Sequence, residues 1–273
     1  MRINAETAAQ NAGAPGEYWE AVGRHWEERR QGELWRRCSD EIHRLWLGRA
    51  LGNLRGALVL KTDLFDEAFG DGLVAWFEQR ENRVIGCDLA YSTAKSALQR
   101  QNCKRSVVSD VRRLPFGGET FDCIISDSTL DHFESQEQIR RSLQELSRVL
   151  RPRGILLLTM DNPRHPLVAL RNLFPPIWQK LGALPYSVGI TCSARRLRRL
   201  LERVGFEVIE TDAILHAPRV LVVAICRWFE NHRGVREPAS WLLRWLNRFE
   251  RLGSLPCRQF TGHFVAVVAR RRA

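Results

Sequence analysis

The chain alternates short apolar runs with longer segments of helical periodicity. Two segments, 17–30 and 34–51, repeat apolar residues at helical spacing before the first apolar run. Runs with the length and composition of strands lie at 57–60, 84–88, 106–110, 121–126, 154–160, 205–211 and 263–269. Apolar strands that alternate with helices predict an α/β fold with a doubly wound, mostly parallel sheet covered on both faces.

Two of the predicted strands end in a carboxylate. Asp88 closes the second strand and Asp110 closes the third, while the turn 126–132 follows the fourth strand at the same edge. Ligands of open parallel sheets bind outside the carboxyl ends of the strands. The two aspartates are therefore expected to border a small-molecule cleft.

This ordered series of strands, acidic strand ends and turns carries a family resemblance. Residues 54–161 resemble the class I S-adenosylmethionine-dependent methyltransferases, in particular the type 11 group, and the rest of the chain resembles them only loosely. The resemblance implies a Rossmann-like, seven-stranded sheet whose last strand runs antiparallel beside the fifth. It also implies S-adenosylmethionine as the cofactor.

The resemblance assigns roles to residues at the strand ends. Asp88, with Leu89 beside it, would hold the ribose hydroxyls of the cofactor. Asp110 and Val111 would meet the adenine. The turn from Ser126 to His132 would face the methyl group and the acceptor.

The first strand departs from the family pattern. It should run into a glycine-rich loop, yet no glycine occurs between Lys61 and Gly70. Asp63 and Phe65 stand where the first two glycines are expected. Glycine matters there because it permits positive φ and lets the backbone approach the ligand.

Three outcomes are compatible with this departure: the loop binds the cofactor in a modified way, the cleft has lost the cofactor, or the cleft takes another ligand. A methionine moiety carries an ammonium, which Asp63 could pair with, and a carboxylate, which Lys61 or a helix N-terminus could hold. Phe65 would lie beside that moiety. The alternative is that Asp63 or Asp66 merely caps a helix over 66–80.

His132 is the candidate catalytic base. Methyl transfer to oxygen or nitrogen requires removal of the acceptor's proton near neutral pH, and imidazole titrates in that range. In the alternative interpretation His132 only lines the pocket, because the transfer itself can depend on proximity and alignment alone.

Two insertions interrupt the second half of the chain. The first, at about 162–192, lies where the family commonly forms an acceptor lid, which makes Asn162, His165 and Tyr186 candidates for the substrate pocket. The second, at about 217–258, contains helices rich in tryptophan and arginine. Such helices suit a membrane surface, and they also suit packing on the core with arginine stems draped over it, which is the commoner arrangement.

Composition and resemblance divide the chain into three parts. Residues 1–16 are small and polar and are predicted to be a disordered tail. Residues 17–53 are predicted to form helices over the cleft, and 54–273 to form the methyltransferase domain. His43 lies on the apolar face of the second helix and could reach the site, although a packing role is the commoner one for such a histidine.

Composition and charge narrow the class of protein. With 273 residues and 44% hydrophobic content, the chain can bury a full core. Its seven cysteines lack metal-ligand spacing, which indicates reduced intracellular thiols and no metal site. No apolar run is long enough to span a bilayer and the N-terminus lacks an apolar signal core, so a cytoplasmic protein is expected.

The net charge of +11 raises the question of an anionic partner. No RNA-binding signature accompanies it, and solvated helix faces explain it as well. The sequence therefore favours methyl transfer from S-adenosylmethionine to the oxygen, nitrogen or carbon of a small apolar or aromatic acceptor, not to nucleic acid. The alternative is a catalytically silent domain of the same fold that binds a ligand or partner; peripheral membrane contact and oligomeric state stay open.

Overall fold

The computed structural model describes most of the chain. The described residues are 15–29, 32–100, 102–173, 189–235 and 237–273. Residues 1–14 of the predicted tail lie outside them, and so does Tyr186. The first helix begins at Pro15.

Helices precede the sheet, cover it and form most of the second insertion. In chain order the α-helices are α1 Pro15–Arg29, α2 Glu33–Leu51, α3 Phe65–Phe69, α4 Val74–Glu78, α5 Tyr91–Gln99, α6 Gln136–Val149, α7 Pro166–Leu173, α8 Ala194–Arg203, α9 Arg219–Arg233, α10 Ser240–Phe249 and α11 Arg258–Thr261. Short 3-10 helices occupy Leu130–His132 and Glu250–Ser254.

Strands alternate with these helices as the apolar runs predict. They are β1 Leu58–Thr62, β2 Arg83–Asp88, β3 Ser106–Val108, β4 Phe121–Ser126, β5 Leu150–Asp161, β6 Phe206–Ile214 and β7 Phe264–Arg271. The sheet has the order β3-β2-β1-β4-β5-β7-β6. Strand β7 pairs antiparallel with both β5 and β6, and the other pairs are parallel. The predicted fold class is confirmed, including the antiparallel last strand.

Apolar residues of successive strand positions face two separate cores. Val59 packs in the core formed with α2 to α5, α9 and α10, whereas the adjacent Leu60 packs in the core formed with α6 and α8. This alternation follows from the two-residue period of a strand. Both faces of β1 are therefore covered by helices. A ligand can reach β1 only at the end of the strand, at the carboxyl edge of the sheet.

Helix α6 shows why the sequence forms an element where it does. Ser135 accepts from the backbone N–H of Gln138, whose side chain bonds back, so a capping box starts the helix. Ile139, Leu143 and Leu146 recur at helical spacing and are completely buried. Burying each such side chain stabilises the fold by about 1.5–3 kcal/mol.

The predicted helix over 66–80 is wrong in its continuity. Two short helices, α3 and α4, form instead, with a turn at 70–73 between them. The cause is Glu67, which is completely buried, and whose Oε1 accepts from the backbone N–H groups of Leu73 and Val74. Gly72 permits the turn, since it has φ 65° and a Cβ there would lie 2.4 Å from the Glu67 side chain.

Helix α10 of the second insertion packs on the core. Leu242 and Leu246 of α10 are buried, while Trp241 is half exposed. Among the described residues, no helix is both long enough and apolar enough to cross a membrane.

Candidate active site

A cleft of about 400 Å³ opens at the carboxyl ends of β1 to β4. This is where the strand-end carboxylates were expected to meet. The predicted site residues that line it are Asp63, Phe65, Asp88, Leu89, Asp110, Val111 and His132. Segments separated by up to about seventy residues in sequence therefore converge on one cavity, because parallel strands end at one edge of the sheet.

Two predicted cofactor residues, Lys61 and Ser126, are buried and are not among the residues that line the cleft. Lys61 is buried, and its Nζ lies 2.9 Å from Oε2 of Glu67 and donates to the Asp63 carbonyl at 2.6 Å. Ser126 is completely buried, and its Oγ accepts from the hydroxyl of Thr62 at 3.0 Å. Both side chains therefore bond to residues at the end of β1 or directly after it.

The two described candidates for the substrate pocket also lie away from the cleft lining. Asn162 is completely buried and donates to the carbonyls of Gln259 and Gly262, each at 2.8 Å, so it ties the end of β5 to α11. His165 is buried with its ring centroid 5.2 Å from that of His263. Tyr186, the third candidate, is outside the described residues.

The loop after β1 keeps a left-handed backbone without glycine. Asp63 has φ 70°, a conformation that aspartate tolerates better than most residues. Its backbone N–H donates to the Cys87 carbonyl at 2.7 Å, and its Oδ1 accepts from the N–H of Phe65 at 2.8 Å. The first expected glycine position therefore has the backbone that glycine would give it.

Asp63 is also an electrostatically unusual carboxyl. Burial, and after it the neighbouring Asp88 carboxylate, raise the pKa of Asp63 well above its ordinary value. Two carboxylates that share a small buried space cannot both ionise without cost. A cation bound between them would relieve that cost.

Asp88 is held in place by backbone donors. Its Oδ2 accepts from the N–H of Leu64 and its Oδ1 from the N–H of Ala90, each at 2.8 Å. Burial raises the pKa of Asp88 against the lowering effect of these two hydrogen bonds. Since an ionised carboxylate has about four acceptor positions, two remain for ligand hydroxyls.

Asp110 and Arg112 form an ion pair at the end of β3. The Arg112 Nε donates to both carboxylate oxygens, at 3.0 and 2.9 Å. Burial acts to raise the pKa of Asp110, but the hydrogen bonds from Arg112 outweigh it and lower that pKa. This end of the cleft therefore presents a fixed, neutralised carboxylate next to Val111.

His43 and Asp127 form a second charged pair that lines the cleft. The Nε2 of His43 lies 3.2 Å from Oδ1 of Asp127, and its Nδ1 lies 2.9 Å from the Ser39 carbonyl. Burial acts to lower the pKa of His43, but Asp127 prevails and raises it to about 9. Burial likewise acts to raise the pKa of Asp127, and His43 and other partners bring it below its usual value.

His132 stands on the 3-10 helix that follows β4. Its ring packs edge-on against Trp19, with centroids 4.6 Å apart. The preceding Asp131 is buried, and its Oδ2 accepts from the Ser128 hydroxyl and from the Asp161 N–H. These bonds fix the turn that carries His132 at the cleft.

Comparison with known proteins agrees with this geometry. Residues 66–158 match the family model described as a methyltransferase domain. The chain is 33% identical over 109 residues to the uncharacterized methyltransferase YodH of Bacillus subtilis, an alignment that covers 39% of this chain and 41% of that protein. It is 36% identical over 75 residues to the probable tRNA methyltransferase 9B of Homo sapiens, covering 28% of this chain and 16% of that protein.

The fold has a solved counterpart along nearly its whole length. A crystal structure from Thermotoga maritima, of a SAM-dependent methyltransferase described as a possible histamine N-methyltransferase, superposes with a TM-score of 0.60 at 16% identity. The superposition covers 93% of this chain and 99% of that one. The chain has the fold of the class I methyltransferases, and residues 66–158 match a methyltransferase domain. The resemblance to the type 11 group is confirmed, while the sequence alignments span less than half of either relative.

The residues of the cleft fit S-adenosylmethionine, the cofactor that the family match supports. The cavity volume lies within the usual range for small-molecule sites. Asp88 has acceptor positions left for ribose hydroxyls, and Asp63 offers a carboxyl whose raised pKa a bound ammonium would lower. The glycine-free loop departs in sequence from the family pattern, but Asp63 keeps the backbone form of its first glycine.

Several lining residues were not predicted from the sequence. They are Trp19, Trp35, Arg36, Arg219 and Phe264. Three come from the helices that precede the sheet and two from the far end of the chain. Helical periodicity indicates which face of α1 or α2 is apolar, but it does not indicate which aromatic or arginine on that face reaches a cleft formed by other segments.

Proposed function

We propose that this protein transfers the methyl group of S-adenosylmethionine to a small apolar or aromatic acceptor. The observation that carries the proposal is one continuous cleft. It is lined by the strand-end carboxylates of Asp88 and Asp110 and also by an aromatic group of side chains. That group consists of Tyr18, Trp19, Trp35, Phe133 and Phe264.

The aromatic residues that line the cleft support the choice of acceptor. Its rings offer faces and edges for stacking against a planar or apolar molecule. Phe264 begins β7, and β7 lies beyond β4 and β5, on the other side of β1 from β2 and β3. An acceptor that packs on Phe264 would therefore lie beside the turn that carries His132, away from Asp110.

Helix α1 limits access to that turn. Pro15, Tyr18 and Trp19 line the cleft, and Trp19 packs on His132. Helix α1 is fastened to α5, because the Ser92 N–H donates to Oε2 of Glu20 at 2.9 Å. A cleft covered by a fastened helix suits a small acceptor better than a folded RNA.

The proposed chemistry needs few groups from the protein. When bound, S-adenosylmethionine supplies an electrophilic methyl group on a sulfonium. The acceptor atom forms the new bond to carbon as the carbon–sulfur bond breaks, and an oxygen or nitrogen acceptor loses its proton. We assign to His132 the role of accepting that proton, since it lines the cleft beside the aromatic group.

The relatives named as tRNA methyltransferases supply the competing acceptor. The net charge of +11 is compatible with RNA. The two acceptor classes separate cleanly in a labelling experiment. The protein is incubated with S-adenosylmethionine that carries a tritiated methyl group and with a cell extract, which is then divided into RNA, protein and small-molecule fractions.

The expected result is label in the small-molecule fraction. His132→Gln should lower the rate of labelling by roughly 10²–10⁴-fold and leave the binding of S-adenosylhomocysteine unchanged. Label in the RNA fraction would show that the acceptor assignment is wrong. An unchanged labelling rate in His132→Gln would show that His132 is not the proton acceptor. The proposal of methyl transfer would still stand.

A further inference from the structure

Arg36 is a largely covered cation on α2 that lines the cleft. Its side chain is 12% exposed. The guanidinium carbon lies 4.4 Å from the ring centroid of Phe65 and 4.7 Å from that of Trp26. Two aromatic faces within this distance hold a guanidinium in one orientation.

The hydrogen bonds of Arg36 leave part of its fork unused. Nη1 donates to Oδ1 of Asp66 at 2.9 Å. Nε is buried, and within the described part of the chain no hydrogen-bond acceptor meets it. A guanidinium is always charged and presents its donors in a plane that matches a carboxylate. The exposed 12% of the side chain, and not the buried Nε, is the part that a ligand oxygen in the cleft can meet.

The charged residues around the β1 loop indicate which chemical group of a ligand each of them could bind. Asp63, Asp66 and Asp88 line this part of the cleft and suit hydroxyls and cations. The other lining arginines lie elsewhere: Arg112 is paired with Asp110 at β3, and Arg219 lies beside Phe264 at β7. Among the described lining residues, Arg36 is therefore the arginine placed at the β1 loop.

Lys61, the cation that the sequence offered for the same task, is already engaged. Its ammonium pairs with Glu67 and donates to the Asp63 carbonyl. Arg36 contacts the loop through Phe65 and Asp66. Lys61 is not among the residues that line the cleft, whereas Arg36 of α2 is.

We propose that Arg36 binds the carboxylate of the cofactor's methionine moiety, in place of the contacts that a glycine-rich loop would offer. The inference rests on the proposed function, because it needs an S-adenosyl ligand in the cleft. Phe65, at the second expected glycine position, then acts as the surface on which the guanidinium is stacked. In this arrangement the residue that replaces the second glycine, Phe65, also positions the arginine that binds the carboxylate.

Calorimetric titration with three nucleosides tests the inference. S-adenosylhomocysteine has the complete amino-acid tail, its decarboxylated analogue lacks only the carboxylate, and methylthioadenosine lacks the whole tail. Arg36→Met should weaken S-adenosylhomocysteine by about tenfold to a hundredfold and change the binding of the other two by less than about threefold. Arg37→Met is the matched control, because Arg37 is 13% exposed on the same helix and pairs with Glu33 and Asp71 outside the cleft lining.

The outcomes separate this inference from the function on which it rests. If wild-type protein binds none of the three nucleosides, the proposed function fails and the inference fails with it. If it binds them but Arg36→Met weakens all three equally, or none, only the anchor is wrong. Should Arg36→Met not fold, the wild type decides: an equal affinity for S-adenosylhomocysteine and its decarboxylated analogue overturns the anchor, and a loss of about tenfold or more for the analogue supports it.

Discussion

The ammonium nitrogen of Lys61 lies 2.9 Å from a carboxylate oxygen of Glu67, and both side chains are almost completely buried. The pair joins the two sides of the loop after β1. Lys61 also donates to the carbonyl of Asp63, and Glu67 also accepts from the backbone N–H groups of Leu73 and Val74. A loop without glycine is thus held by one internal ion pair.

Breaking this pair from one side should be strongly destabilising. Lys61→Met leaves the Glu67 carboxylate buried without its cation, and such a loss costs about 3–5 kcal/mol of unfolding free energy. Urea denaturation followed by circular dichroism measures it. The double variant Lys61→Met/Glu67→Gln should recover part of the loss, because it removes both charges. A double variant no more stable than the single one would contradict a direct pairing.

The carboxylate of Asp63 should lower the stability of the ligand-free protein while it contributes to ligand binding. Its pKa is raised in the folded protein, so its favourable contribution is present below the unfolded pKa and is lost as pH rises through the folded one. Asp63→Asn should therefore stabilise the ligand-free protein at pH 7 by ~0.5–2 kcal/mol, and the gain should vanish in acid.

The same variant should bind S-adenosylhomocysteine more weakly, because it no longer offers a carboxylate to the ammonium. Thermal unfolding between pH 4 and 8 checks the stability, and calorimetry checks the affinity. A gain in stability that is equal at both ends of the pH range would mean that the charge of Asp63 is not its cause.

The His43–Asp127 pair should give stability that depends on pH. The pKa of His43 is raised to about 9, so its contribution is complete below its unfolded value near 6.5 and is lost as pH rises towards 9. Because each tenfold gain in proton affinity corresponds to ~1.4 kcal/mol, the pair should contribute up to about 3 kcal/mol at pH 6.

Asp127→Asn removes the charge that raises the pKa of His43. The difference in melting temperature between wild type and this variant should be largest at pH 6 and should shrink towards pH 9. Differential scanning calorimetry across that range measures it. A constant difference would show that the histidine does not titrate as part of this pair.

The central sheet was predictable because its signal is local. Strands such as 84–88 and 121–126 are short runs of mostly apolar residues, and the aspartate that ends β2 falls at the cleft because of sheet topology alone. The order of motifs then indicated the family resemblance, and with it the antiparallel pairing of β7, which no local pattern of residues 264–271 could have shown.

The contacts that hold the cleft residues in place could not be predicted from the sequence, because they join segments that are far apart along the chain. Glu67 breaks the expected helix by bonding to residues six and seven positions later, and Lys61 turns towards it and away from the ligand. Asn162 was expected in the substrate pocket, yet it bonds to the carbonyls of Gln259 and Gly262 about one hundred residues away. Arg36 reaches the cleft only because α2 packs over the β1 loop.

Titration calorimetry of the ligand-free protein with S-adenosylhomocysteine tests the central claim most directly. The claim is that a nucleoside binds across the ends of β1 to β3 although the first loop contains no glycine. Saturable binding in the micromolar range is expected for the wild type, with a loss of ~1–3 kcal/mol in Asp88→Ala, which removes the carboxylate assigned to the ribose. Wild-type binding weaker than about 1 mM, or an affinity that is unchanged in Asp88→Ala, would contradict it.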